Sequence, residues 1–181
     1  MKTSEPNTQS ICFGAGCFWS VEAAFQQLDF VVETKVGYAG GLIEHPTYRE
    51  VCSGLTGHAE VVLLHYTHSK KNLERLLEVF ELIHDPTFVY REKAKRGSQY
   101  RSIVLFTNEH QKAEIEKWMK EARKRYSKKM TTELLSLVHF YEAEEHHQNY
   151  YKKKPDAMYC SRMFEPKLKQ LKKKFPKMKK M

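Results

Sequence analysis

The chain has 181 residues, 41% of them hydrophobic, and a formal net charge of +9, a size that supports one well-buried core and is short for two ordinary domains. No run approaches the roughly 20 consecutive apolar residues needed to cross a bilayer as a helix, and the opening from Met1 to Ser10 is polar, which sets the cytoplasm as the expected address. Eight lysines and no acid lie between Pro166 and Met181, so nearly all of the excess charge belongs to a tail and the body is close to neutral.

In chain order, Gln9 to Phe13 reads as a short strand, followed by the turn Gly14-Ala15-Gly16 and a helix from about Cys17. Val21, Ala24, Phe25 and Leu28 fall on one face of that helix. A strand is expected over Phe30 to Val36, then a glycine-rich loop from Gly37 to Gly41, then a short helix between Pro46 and Gly54. His58 to Tyr66 is the clearest strand, apolar on both faces as a central position requires, and Glu60 lies on it. The next helix runs from Asn72, a candidate N-cap, to about His84 and is stopped by Asp85-Pro86. A polar loop to Gln99 leads to a strand over Arg101 to Phe106 and to a helix opened by Asn108 and Gln111 and closed near Arg125. A last strand spans Thr132 to Phe140, a polar segment follows to Tyr151, and there are no internal repeats. Strands alternating with helices predict a mixed α/β sheet.

Four cysteines, Cys12, Cys17, Cys52 and Cys160, form no CxxC pair and are too few for a secreted disulfide scaffold. Cys17 stands at a helix N-terminus behind two glycines, where the helix dipole favours the thiolate; beside Phe18 and Trp19 it is equally readable as core. The Gly14-Ala15-Gly16 turn is no dinucleotide fingerprint, because Trp19 stands where the third glycine would be. Cys12 and Cys52 read as packed small hydrophobes. Glu144, Glu145, His146 and His147 invite a metal reading, but the cysteines are not spaced as paired zinc ligands, so no metal is expected. The lysine tail reads as a solvated or loosely helical appendage.

Several segments recur together in one known family: Gly-Cys-Phe-Trp at 16–19, Val-Gly-Tyr-Ala-Gly-Gly at 36–41, Pro-Thr-Tyr at 46–48 and Glu-Val-Cys-Ser-Gly at 50–54. Gly-His-Ala-Glu at 57–60, His-Asp-Pro-Thr at 84–87, Gln-Tyr-Arg-Ser at 99–102 and Tyr-Cys at 159–160 belong to the same set. In these the chain closely resembles the peptide methionine sulfoxide reductase A family, from about Ile11 to Cys160. The resemblance implies an α+β fold, a ferredoxin-like two-layer sandwich with a mixed sheet and a long C-terminal tail, with one catalytic domain over 1–160 and a lysine-rich tail over 161–181. It implies reduction of the S epimer of methionine sulfoxide, free or in proteins, with Cys17 as nucleophile, Glu60 as acid, Tyr48 and Tyr100 as the two phenols and Cys160 as resolving cysteine. Phe18 and Trp19 would form the apolar wall that receives the substrate methyl group. No cofactor is implied; thioredoxin or a similar dithiol is the expected reductant, and a monomer with no nucleic-acid or membrane partner is expected.

The chain departs from the family at Lys95, where many members carry an acid, at Ser20, where a glycine is common, and in lacking a further recycling cysteine after Cys160. Two other readings compete. A cysteine hydrolase would use Cys17 with His58 or His147 as base, and a non-catalytic sulfoxide-binding or RNA-associated module would bind without turnover.

Overall fold

Strand β1 (Thr8–Ala15) reaches two residues beyond its expected end, so that the glycine turn begins only at Gly16, whose φ of +95° a side chain would resist. The computed structural model describes residues 7–89, 97–158, 162 and 164–175. Helix α1 (Phe18–Phe25) leads to β2 (Val31–Ala39), α2 (Tyr48–Cys52), β3 (Ala59–Thr67) and α3 (Lys70–Ile83). Then come β4 (Ser102–Phe106), α4 (Glu109–Arg123), β5 (Glu133–Ser136), β6 (Phe140–Glu142), α5 (Tyr150–Lys153) and α6 (Glu165–Lys174).

The strands form one sheet in the order β5-β4-β1-β3-β2-β6, antiparallel throughout except for the parallel pair β4 and β5. Alternate side chains separate its two faces. Ile11 and Phe13 of β1, Val62 and Leu64 of β3 and Val104 of β4 join the core under the helices, with Val21, Phe25, Leu76 and Phe80. Cys12, Ala39, Ala59, Val61, Ile103 and Leu105 make a smaller cluster on the other face, against which Leu137 and Phe140 pack.

The single strand expected over Thr132 to Phe140 is two strands on opposite edges of the sheet. Leu137 donates its amide to the Phe106 carbonyl at 2.8 Å, and by Phe140 the chain is paired with Ala39. From Leu137 to Phe140 three Cα steps reach at most about 11 Å, whereas five strand spacings would span about 24 Å if flat. The sheet must therefore be curled, bringing its edges toward one another.

The expected loop at Gly37 is also strand: Tyr38 pairs with Glu60 and with Tyr141. Glycine at 37 is required by packing, since a Cβ there would run into the Tyr141 carbonyl and the Phe140 ring. Ser69, not Asn72, caps α3, accepting the Asn72 amide at 3.1 Å; Asn72 lies one turn in and its side chain returns to the Thr67 carbonyl. Asn108 caps α4 as expected through the Gln111 amide, but the Gln111 side chain accepts from Thr107 and donates to Ser10, so no capping box forms. A capping box does form at α2, between Thr47 and Glu50. The segment expected to be a solvated or loosely helical appendage contains α6, with Lys169, Lys172, Lys173 and Lys174 exposed and Phe164, Leu168 and Leu171 buried in the main core.

Candidate active site

Cys17 is the N-cap of α1; its carbonyl accepts from the Ser20 and Val21 amides and from the Ser20 hydroxyl, which fixes the residue at the head of the helix. Ser20 therefore makes a hydrogen bond to the Cys17 carbonyl that a glycine could not. The next amide, that of Phe18, donates to Glu60 Oε2 at 3.1 Å. This bond joins the first turn of α1 to the start of β3 and sets the Glu60 carboxyl beside Cys17. Glu60 belongs to the helix-side face of β3, in step with Val62 and Leu64, and is 1% exposed.

Burial dominates the electrostatics of that carboxyl. It raises the pKa of Glu60 to about 7, the Phe18 amide opposing the shift only in part. The two phenols share the field: Tyr100 is pushed up to about 12 by desolvation and then by Glu60 and Cys17, and Tyr48 is raised by burial, by its bond to Cys52 and by the charge of Glu60. Both are neutral hydrogen-bond donors across the physiological range. Tyr100 thus lies within electrostatic reach of Glu60, Cys17 and Cys52, and Tyr48 within reach of Glu60, Cys52 and Tyr100.

The apolar side is built from rings. Phe18 is 1% exposed and lies 6.3 Å from Trp19, 6.1 Å from Tyr38 and 5.2 Å from His147 between centroids. Trp19 stacks on Tyr150 at 3.8 Å and 7°, and its indole N–H donates to His147 Nδ1 at 3.2 Å. That bond makes Nδ1 the acceptor and leaves the proton of the neutral ring on Nε2. Burial holds the His147 pKa down, which keeps the ring neutral. His147 thus takes a local hydrogen-bonding part, and it also touches the Tyr48 ring at 4.6 Å.

Glu144 is a residue that sequence reasoning missed. One oxygen accepts from the Tyr38 hydroxyl at 2.9 Å and the other from the Tyr48 amide at 3.1 Å, so one carboxylate ties the second strand to the head of α2. Its position in an acidic and histidine-rich run invites a metal reading that the cysteine spacing argues against, and only the fold reveals its partners. Cys12 is fully buried on the far face of the sheet, its thiol raised far above the ordinary range by desolvation. Cys52 is half-buried and bonded to Tyr48, closer to the site than a packing residue needs to be. Cys160 and Lys95 lie outside the described residues.

The sequence model for "Peptide methionine sulfoxide reductase" matches residues 9–179, which carries the match well past Cys160 and through α6. The MsrA of Natronomonas pharaonis is 48% identical over 163 residues, 89% of this chain and 92% of the relative. That of Sulfolobus acidocaldarius is 45% identical over 163 residues, 90% and 93%. Among solved structures, reduced Mxr1 from Saccharomyces cerevisiae superposes with a TM-score of 0.77 at 32% identity, covering 88% of this chain and 92% of that one. Mxr1 in complex with Trx2 superposes at 0.58 with 26% identity, covering 83% and 89%. With an acid held against the head of a cysteine-capped helix, and with likeness to these enzymes over nearly its whole length, this chain belongs to the peptide methionine sulfoxide reductase family.

Proposed function

We propose that this reductase acts on the S epimer of methionine sulfoxide, with Cys17 as nucleophile and Glu60 as proton donor. The observation that carries the reading is the bond from the Phe18 amide to Glu60 Oε2, which sets a carboxyl with a pKa near 7 beside the sulfur. Sulfoxide sulfur is a weak electrophile until its oxygen is protonated or strongly hydrogen-bonded. With Oε2 occupied by an amide, Oε1 is the oxygen suited to carry the proton to the substrate, and Tyr48 and Tyr100 add two neutral donors. Phe18 and Trp19 form the wall for the methyl group, so that only one epimer directs its oxygen at the donors while its sulfur faces Cys17.

The Cys17 thiolate attacks the sulfoxide sulfur as the oxygen takes a proton. Methionine leaves, the oxygen remains on Cys17 as a sulfenic acid, and the two electrons gained by the substrate are those the cysteine has lost. The Cys160 thiol then condenses with the sulfenic acid, releasing water and forming a Cys17–Cys160 disulfide. An external dithiol of the thioredoxin kind reduces it; the yeast relative crystallised with Trx2 supports this choice. No cofactor takes part. We read the core as ferredoxin-like, because β1, α1, β2, β3, α3 and β4 follow one another with the four strands in the order β4-β1-β3-β2, elaborated by β5, β6 and the C-terminal segment. We read the protein as a cytoplasmic monomer with one catalytic domain.

The test uses dithiothreitol-driven reduction of separated S and R sulfoxides. Turnover of the S epimer alone is expected, falling by roughly 10³-fold or more in Cys17→Ser and retained with dithiothreitol in Cys160→Ser. Equal turnover of both epimers, or activity surviving in Cys17→Ser, sinks the reading. Hydrolysis without any reductant would favour the cysteine hydrolase instead.

A further inference from the structure

Helix α6 carries seven charged or polar side chains in ten residues, yet it is anchored by Leu168 and Leu171, which are 5% and 0% exposed, and packs against α1 and α3. The lysine between these anchors and Phe164 cannot behave like its neighbours. Lys167 is half-buried, whereas Lys169, Lys172, Lys173 and Lys174 are exposed. It lines a hollow of about 360 Å³ together with Ala15 and Gly16, the two residues before Cys17, and with Ile83, His84, Tyr100 and Ser102. Neither Cys17 nor Glu60 is among the lining residues; the hollow meets the head of α1 through Gly16, and Lys167 is not among the groups that act on Glu60.

Among the described residues, the other charged and titratable groups of this hollow have partners or are neutral. His84 is bonded through Nδ1 to the Phe80 carbonyl at 2.6 Å and through Nε2 to the Ser102 hydroxyl at 2.7 Å, and burial brings its pKa down to about 4, so it is neutral. Asp85 accepts from the Thr87 amide and hydroxyl at 2.8 and 2.7 Å; Tyr100 is neutral. Among the described residues Lys167 has no carboxylate within ion-pair distance. Burial draws its pKa down and the charge of Cys17 draws it up.

We infer that Lys167 is a positioning residue for the nucleophile: its ammonium, held by α6 in the hollow that reaches Gly16 and Tyr100, stabilises the Cys17 thiolate. This rests on the assignment of Cys17 as nucleophile and gives the C-terminal helix a part in the chemistry. The placement also avoids a conflict, because a cation close to Glu60 would favour the ionised carboxylate and weaken the donor.

The experiment is the pH dependence of Cys17 alkylation by iodoacetamide in the reduced full-length protein, read at Cys17 by mass spectrometry, for wild type, Lys167→Met, Lys167→Arg and Lys169→Met. Methionine keeps the packed stem and removes the charge; Lys169→Met removes the same charge from the exposed side of α6. The midpoint is expected to rise by about one pH unit in Lys167→Met, to stay within about 0.3 of wild type in Lys167→Arg, and to be unchanged in Lys169→Met. Equal midpoints for the two methionine variants, or the same shift in Lys167→Arg as in Lys167→Met, overturn the inference. No sulfoxide is present, so a flat titration removes the role of Lys167 and leaves the reductase reading to its own turnover test.

Discussion

Glu60 presents opposite demands to the fold and to the reaction. An acid at 1% exposure is costly once ionised, and the fold supplies it one amide rather than a cation, which leaves its pKa near 7. A neutral carboxyl can give a proton near neutrality; a carboxylate held low by a salt bridge could not. Activity is therefore expected to fall above about pH 7 as Glu60 ionises. Glu60→Gln should lower the rate about 10²- to 10⁴-fold and abolish that alkaline decline, which single-turnover measurements between pH 6 and 9 would detect. A variant retaining both full rate and alkaline decline would assign the proton to another group.

At the scale of elements, the strands with paired apolar faces were legible, because a period of two and a glycine or proline boundary are local signals. Misreadings occurred where the deciding contact is distant. Gly37 looks like loop by composition, yet its lack of a side chain is what lets Phe140 and Tyr141 pair with β2. The segment from Thr132 to Phe140 is uniform in sequence and divides only because the sheet curls. The same holds for the site: Cys17, Phe18, Trp19, Tyr48, Glu60 and Tyr100 stand in recognisable motifs, whereas Glu144 and Lys167 gain their parts from residues more than 90 positions away. Helix α6 illustrates the energetics. Its lysines suggest an independent tail, but Leu171 is fully buried, and Leu171→Ala should destabilise the protein by about 3 kcal/mol in urea unfolding. An unfolding midpoint equal to wild type would mean that α6 is detached in solution.

For the whole molecule, two buried carboxylates set the response to pH. Glu22, on the buried face of α1 and 1% exposed, is raised to about 7 by burial in spite of its bond from Thr34; burial raises Glu60 likewise. In the unfolded chain both titrate near 4.3. Between about pH 4 and 7 the folded state thus binds protons that the unfolded state has released, and stability falls as pH rises through this window, by an amount of order 3 kcal/mol per group. Glu144, whose pKa is lowered, acts in the opposite sense: its contribution is present above the unfolded pKa and lost on acidification. Glu22→Gln lies outside the catalytic machinery and should reduce the stability difference between pH 5 and 8 by about 3 kcal/mol, seen as a flatter pH dependence of urea midpoints. Parallel curves for the variant and wild type would show that Glu22 is solvated.

The grip of Glu144 on the Tyr48 amide, rather than on its ring, separates location from reactivity. Main chain and capping box decide where the phenol stands, and its hydroxyl is left to meet Cys52 or an incoming oxygen. Chemistry at this corner can therefore be retuned by exchanging one side chain, without rebuilding the wall that carries it.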